Sequence, residues 1–199
     1  MKKQLLAAAF AAQLLTQLHA GGDIEPVQGL ETETEAVAEE SRFYIVGKGM
    51  AIMGDSIAEE EAILDGDNGY GFGIDIGYRL GHGFAVEYDF SYSSNTVTER
   101  KEGFEPEEFD ADYYTSALDL VYTYEMTETI GIFGKVGYEF EWETIDGLGI
   151  DSERDDGFVF GAGFEVAMNE KYKFVTEYEH STIDGPRGDA IFAGLMVNF

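Results

Sequence analysis

The residues best placed to do chemistry are His180, Ser181 and Thr182, an imidazole followed at once by two hydroxyls. A histidine can take the proton of a hydroxyl and make it a nucleophile for acyl transfer. That requires both on one face and an acid that holds the imidazole in the right tautomer. Alternate side chains of an extended chain point to opposite faces, so Thr182 shares the face of His180 and Ser181 does not. In the next extended segment, Ile191, Ala193 and Leu195 occupy the face where the orienting acid belongs. Catalysis is therefore not expected. Two acidic runs suggest cation chemistry instead, because Ca²⁺ is held by carboxylate oxygens. They are Asp65-Gly66-Asp67-Asn68-Gly69 and Asp151-Ser152-Glu153-Arg154-Asp155-Asp156-Gly157. The glycine falls one position early in the first and one late in the second for an EF-hand loop, and neither has two flanking helices. Both are read as solvated charge, with divalent cations as loop partners and no built metal site. Cysteine is absent, which excludes disulfides and thiolate metal sites. No cofactor is expected.

A third group is charged but lies inside apolar stretches: Lys48, Asp75, Arg79, Glu87, Asp89, Asp119, Lys135, Glu139, Glu141 and Glu165. Each sits at an alternate position, opposite a greasy neighbour, and that pattern defines the elements. Tyr70, Phe72, Ile74, Ile76, Tyr78 and Leu80 alternate with Gly71, Gly73, Asp75, Gly77 and Arg79. Phe84, Val86, Tyr88, Phe90 and Tyr92 alternate with Ala85, Glu87, Asp89 and Ser91. The same period-two text recurs around 114–125, 132–142, 158–167, 172–179 and 191–199, and a first segment near 43–53 carries Lys48 on its polar face. Eight such segments of roughly ten residues, with apolar faces that start or end in aromatics, are the pattern of transmembrane strands. A soluble sandwich alternates too, but its apolar faces turn inward to a shared core. The predicted fold is all-β: an eight-stranded antiparallel up-and-down transmembrane β-barrel with the charges facing its lumen. Cations paired with carboxylates are expected to plug that lumen, since isolated buried charges are costly and eight strands enclose little more than their own side chains.

Between the strands, 81–83, 127–129 and 169–171 read as tight turns. The alternate connections, 54–68, 93–112, 143–157 and 181–190, read as long acidic loops. Short periplasmic turns and long external loops are what such a barrel shows. Ahead of it, Lys2 and Lys3 precede an apolar stretch ending at Ala20, so 1–20 is read as a cleaved secretory leader. Residues 21–42 are rich in glutamate and poor in aromatics and are read as a disordered acidic periplasmic segment. Loss of the leader removes two lysines and no acid, which takes the formal charge from −28 to −30. So acidic a chain is not expected to bind nucleic acid, whose phosphates call for lysines and arginines.

The opening Phe43-Tyr44-Ile45-Val46-Gly47, the texts Phe84-Ala85-Val86-Glu87-Tyr88 and Phe174-Val175-Thr176-Glu177-Tyr178, and the terminal Phe199 carry a resemblance. Over 43–199 the chain resembles the small eight-stranded outer-membrane barrels of the OmpA transmembrane-domain and OmpX type, the porin-family outer membrane proteins. The resemblance implies insertion into the outer membrane of a Gram-negative bacterium, among its lipids and lipopolysaccharide, as a monomer. It further implies that Leu195, Val197 and Phe199 form the signal read by the barrel-assembly machinery. It does not imply a cell-wall tether, since no peptidoglycan-binding domain is recognised. The expected role is non-enzymatic: envelope integrity, or acidic loops that engage cations, lipopolysaccharide or other cells. A narrow cation-preferring porin is the alternative. A lipid A-modifying enzyme, built on His180, comes after that.

Overall fold

The computed structural model describes residues 42–58, 62–145 and 150–199, and for 150–153 the backbone alone. The predicted leader, and the acidic segment up to residue 41, lie outside the described residues. The described chain forms β1 (Phe43–Ile52), β2 (Ser56–Ala58), β3 (Ala62–Gly66), β4 (Gly69–Gly81), β5 (Phe84–Lys101), β6 (Glu107–Glu125), β7 (Ile130–Ile145), β8 (Ile150–Ala167), β9 (Tyr172–Ser181) and β10 (Ala190–Asn198). All pairings are antiparallel. Eight strands, β1 and β4 to β10, each bond to the next in sequence, and β10 returns to β1 in a register from Tyr44↔Asn198 to Ile52↔Ala190. The ring is closed, which satisfies the backbone hydrogen bonds that lipid could not.

The turns follow from local chemistry. Between β4 and β5, His82 and Gly83 both have positive φ (56° and 84°), the geometry of a two-residue hairpin turn matched to strand twist. At the next two, the Thr127 hydroxyl accepts the amides of Thr129 and Ile130, and the Asn169 side-chain oxygen those of Lys171 and Tyr172.

Outward and inward faces fall as the alternation predicts over the central part of each strand. Ile74, Ile76, Tyr88, Leu118, Leu120, Val136, Phe160 and Phe164 are exposed on the exterior, while Asp75, Glu87, Asp89, Asp119 and Lys135 are buried inside. Aromatics bound the greasy band at the turn end (Phe43 against Tyr78, Phe84 against Tyr122) and at the loop end (Tyr92 against Tyr114, Tyr138 against Phe158).

The loops differ from expectation. Residues 93–112 and 143–157 are largely strand: β5 runs on to Lys101, β6 starts at Glu107, β7 reaches Ile145 and β8 begins at Ile150. Within 54–68, β2 and β3 form a hairpin that adds to the far end of β5. The physical reason is a second core. Beyond the loop-end aromatics the polarity inverts. Ser94, Thr96, Asp110 and Asp112 face out, whereas Val97, Ala111 and Tyr113 turn in to meet Met50, Ile52, Leu64, Ile145, Ala190 and Phe192. That head is built like a soluble barrel. At the turn end a smaller apolar cluster gathers Tyr44, Val46, Ala85, Val121, Val175 and Met196. The charges lie between the two.

Candidate functional site

The centre of the lumen is an ion-paired layer. Lys48, on β1, reaches Asp75 (2.9 Å), Asp89 (2.5 Å) and Glu177 (3.8 Å), and its ammonium sits 4.1 Å from the centre of the Phe192 ring. Lys135, from β7 across the lumen, reaches Glu177 (2.7 Å), Glu179 (3.0 Å), Asp89 (3.7 Å) and Asp119 (3.9 Å). Asp89 and Glu177 bridge the two lysines. Glycines make the room. A Cβ on Gly137 would collide with the Asp119 carboxylate, and one on Gly161 with Glu177 and Lys135.

A second tier lies toward the loop end. Arg187, in the connection between β9 and β10, turns into the lumen, where its guanidinium binds Glu139 and Glu141, both at 2.7 Å. Ser181 donates to Glu139 at 2.9 Å. The same connection is sewn to the rest of the head: Met53 N donates to Asp189 O, Gly54 N to Arg187 O, and the Asn95 amide to Pro186 O. Sequence reasoning missed Arg187 because it lies outside any alternating run. It also left out Glu177 and Glu179, whose alternation with Tyr178 was the available signal.

The remaining expected lumen residues stand apart from this core. Glu165 pairs with Lys173 at 2.6 Å near the turn end. Arg79, expected to join the carboxylates, pairs with none among the described residues. It lies at the turn-end mouth, donates to the Asn198 side chain at 2.7 Å and stacks over Tyr44 at 4.5 Å. It lies two same-face positions below Asp75 on β4, and Asp75 meets the ionic layer instead. Glu87 accepts the Tyr44 hydroxyl at 2.6 Å, and no cation pairs with it among the described residues. Leu195 is exposed on the exterior, as is Phe199 after the last strand, whose amide reaches Phe43 O. Val197 pairs with Ile45 on β1 and with Tyr172 on β9.

The charges do not balance. Among the described residues the buried cations are Lys48, Lys135 and Arg187, against Asp75, Glu87, Asp89, Asp119, Glu139, Glu141, Glu165, Glu177 and Glu179. Below the ionic layer, a cavity of about 490 Å³ opens at the turn end and reaches Asp75, Glu87 and Glu177. Above it the apolar head fills the lumen.

At the outer rim His180 has the acid that the sequence reading did not find. Its Nδ1 lies 2.7 Å from Asp189, a residue of the preceding connection rather than of β10, and the Tyr178 hydroxyl donates to the same carboxylate. Partial burial would push the Asp189 carboxyl up, but these two hydrogen bonds outweigh it and hold it below the ordinary carboxylate range. The Thr182 hydroxyl oxygen accepts the Phe158 amide at 2.9 Å. The side chains of Asp151, Ser152 and Glu153 in the second acidic run lie outside the described residues. Asp65 lies in β3, bonded to Ser56 (2.6 Å) and Arg100 (2.9 Å), and among the described residues no group of three acids or histidines is placed to hold a metal.

Residues 26–199 match the family described as "Outer membrane protein beta-barrel domain". Among solved structures, the fold is similar to that of the outer membrane protein OprG from Pseudomonas aeruginosa. There the identity is 14%, with 80% of this chain and 97% of that one covered and a TM-score of 0.63. Neisserial surface protein A matches at 16% identity, 80% and 98% coverage and a TM-score of 0.61. Ail, the attachment invasion locus protein of Yersinia pestis, matches at 18% identity, 80% and 99% coverage and a TM-score of 0.51. Ail has also been crystallised with the heparin analogue sucrose octasulfate. No curated protein sequence matches the chain.

Proposed function

Since the chain belongs to the family of outer membrane protein β-barrel domains, we propose that it is a non-conducting, non-enzymatic barrel whose work is structural and at the cell surface. The observation that carries this reading is the stacking of two seals in one lumen. An ion-paired layer is surmounted by an apolar core of Met50, Ile52, Val97, Tyr113, Ile145 and Phe192. A hydrated ion would have to shed water against hydrocarbon side chains to pass, and such apolar constrictions stop conduction by dewetting. The head projects as paired strands beyond the aromatic band and carries Asp110, Asp112 and Glu108 outward. Its charge suits divalent cations and cation-bridged lipopolysaccharide as partners. A polyanion such as the one bound to Ail would be repelled.

The test is conductance of the refolded full chain in a planar bilayer. Silence from protein shown to be folded is the expected result. Reproducible cation-selective steps, altered in a Lys135→Ala variant, would instead establish the narrow porin. The rim group of His180, Asp189 and Thr182 favours lipid A modification only as a third reading. Expression of the chain is expected to leave the acylation of host lipid A unchanged.

A further inference from the structure

The cavity beneath the ionic layer has a charged group that forms no ion pair among the described residues. Glu87 lines it, is 6% exposed, and holds a hydrogen bond from Tyr44 but no cation among the described residues. Directly opposite it on the neighbouring strand stands Asp119, 1% exposed. Neither Asp119 oxygen has a hydrogen-bond donor, and its nearest cation is 3.9 Å away. Like charges directly across a strand pair repel, and a buried carboxylate without a counter-ion is costly. Both lysines are already committed: Lys48 to Asp75 and Asp89, Lys135 to Glu177 and Glu179. Of the cations that line the cavity, Lys173 is paired with Glu165 and Arg79 is bonded to Asn198 over the Tyr44 ring, so a further positive charge for Glu87 would enter through the cavity.

The walls describe what would bring it. Val46, Val121, Val175, Met196 and Phe133 line the cavity beside Arg79, Glu125, Glu165 and Lys173, so an incoming molecule meets a hydrocarbon patch as well as charge. Glu125 stands at the mouth without an ion pair among the described residues. Apolar walls with a few convergent polar groups are the pattern of small-molecule sites. A metal ion gains nothing from such walls, and no three acids are grouped to ligate one among the described residues. We propose that this vestibule, at the periplasmic end of the barrel, binds a small organic cation. An alkyl ammonium or diamine would place one ammonium against Glu87 and its carbon chain along Val121 and Val175. This goes beyond the surface role above and does not depend on it: a barrel sealed to ions can still hold such a ligand.

The experiment uses the full chain refolded into lipid nanodiscs, with 1,6-diaminohexane as probe and 1,6-hexanediol as its uncharged counterpart. Binding is read by calorimetry and by the shift of the Met196 methyl resonance. The diamine should bind saturably and shift Met196, and the diol should do neither. Glu87→Gln should weaken the diamine about tenfold, as loss of a hydrogen bond to a charged group implies. Val121→Phe, which fills the passage and keeps every charge, should abolish binding, with folding of both variants checked by circular dichroism. The proposal is overturned if folded wild-type protein gives no saturable response. It is likewise overturned if the diol binds as well as the diamine, if folded Glu87→Gln binds undiminished, or if calcium chloride at equal concentration displaces the diamine.

Discussion

Single side chains in this lumen act through the charges they leave behind. Arg187 neutralises Glu139 and Glu141 from a connection rather than from the wall. Arg187→Ala strands two buried carboxylates, and removal of one partner of a buried pair costs about 3–5 kcal/mol. A lower urea midpoint for the folded barrel in micelles is the expected outcome. Arg187→Lys should recover part of the loss, because a point charge cannot bind two carboxylates as a planar fork does. At the rim, Asp189 ties the same connection to Tyr178 and His180. Its carboxyl is held below its unfolded value, so the tie is present above the ordinary carboxylate pKa of about 3.9 and is lost as pH falls through the lowered folded value. Pepsin, active across that range, should begin to cut within residues 182–189 of the wild type only below the ordinary carboxylate range, but already near pH 4 in Asp189→Asn. Cleavage that is equal in both proteins at pH 4 would refute the tie.

At the level of strands, glycine spacing decides where charge fits. Gly137 and Gly161 lie under Asp119 and under Glu177 with Lys135, whereas Gly47 and Gly49 on β1 face open space. Gly137→Ala and Gly161→Ala should each destabilise by about 1–3 kcal/mol, the range for overfilled interiors. Gly47→Ala should stay within about 0.5 kcal/mol, and denaturant unfolding of the three variants side by side checks both. The ring was legible because alternation needs no knowledge of neighbours. Tyr70 to Leu80 or Phe84 to Tyr92 carries its two faces in its own text. The head was not legible. Its strands mix Ser94, Thr96 and Asp112 on the outside with Val97, Ala111 and Tyr113 inside, and so diluted a pattern reads as a charged loop until the partners across the barrel are known. The lumen network was half legible for the same reason. Lys48, Asp89 and Lys135 announce themselves by parity, while Arg187 and Asp189 arrive from a stretch with no parity to read.

Across the whole molecule, the exterior band sets what each height tolerates. Leu118 lies midway between Tyr114 and Tyr122 on the outside of β6, and Thr96 lies outside on β5 above Tyr92. Leu118→Arg should cost about 2–4 kcal/mol and Thr96→Arg about 0–1 kcal/mol, the depth dependence of charge on a barrel's lipid face. Folding titrations in bilayers read the difference, and equal costs would place the band elsewhere. The inversion of polarity above the loop-end aromatics has a further meaning. Along β5 and β6 the same parity that is greasy outside at Phe90 and Leu118 is hydroxyl or acid outside at Thr96 and Asp110. The crossover is a waterline written into the wall. If the barrel rode lower by one side-chain pair it would drown Asp112 and Asp156 in oil; if it rode higher, Phe90 and Phe158 would stand in water. It therefore floats at a fixed draught, and a thinner membrane must deform to meet it rather than the reverse.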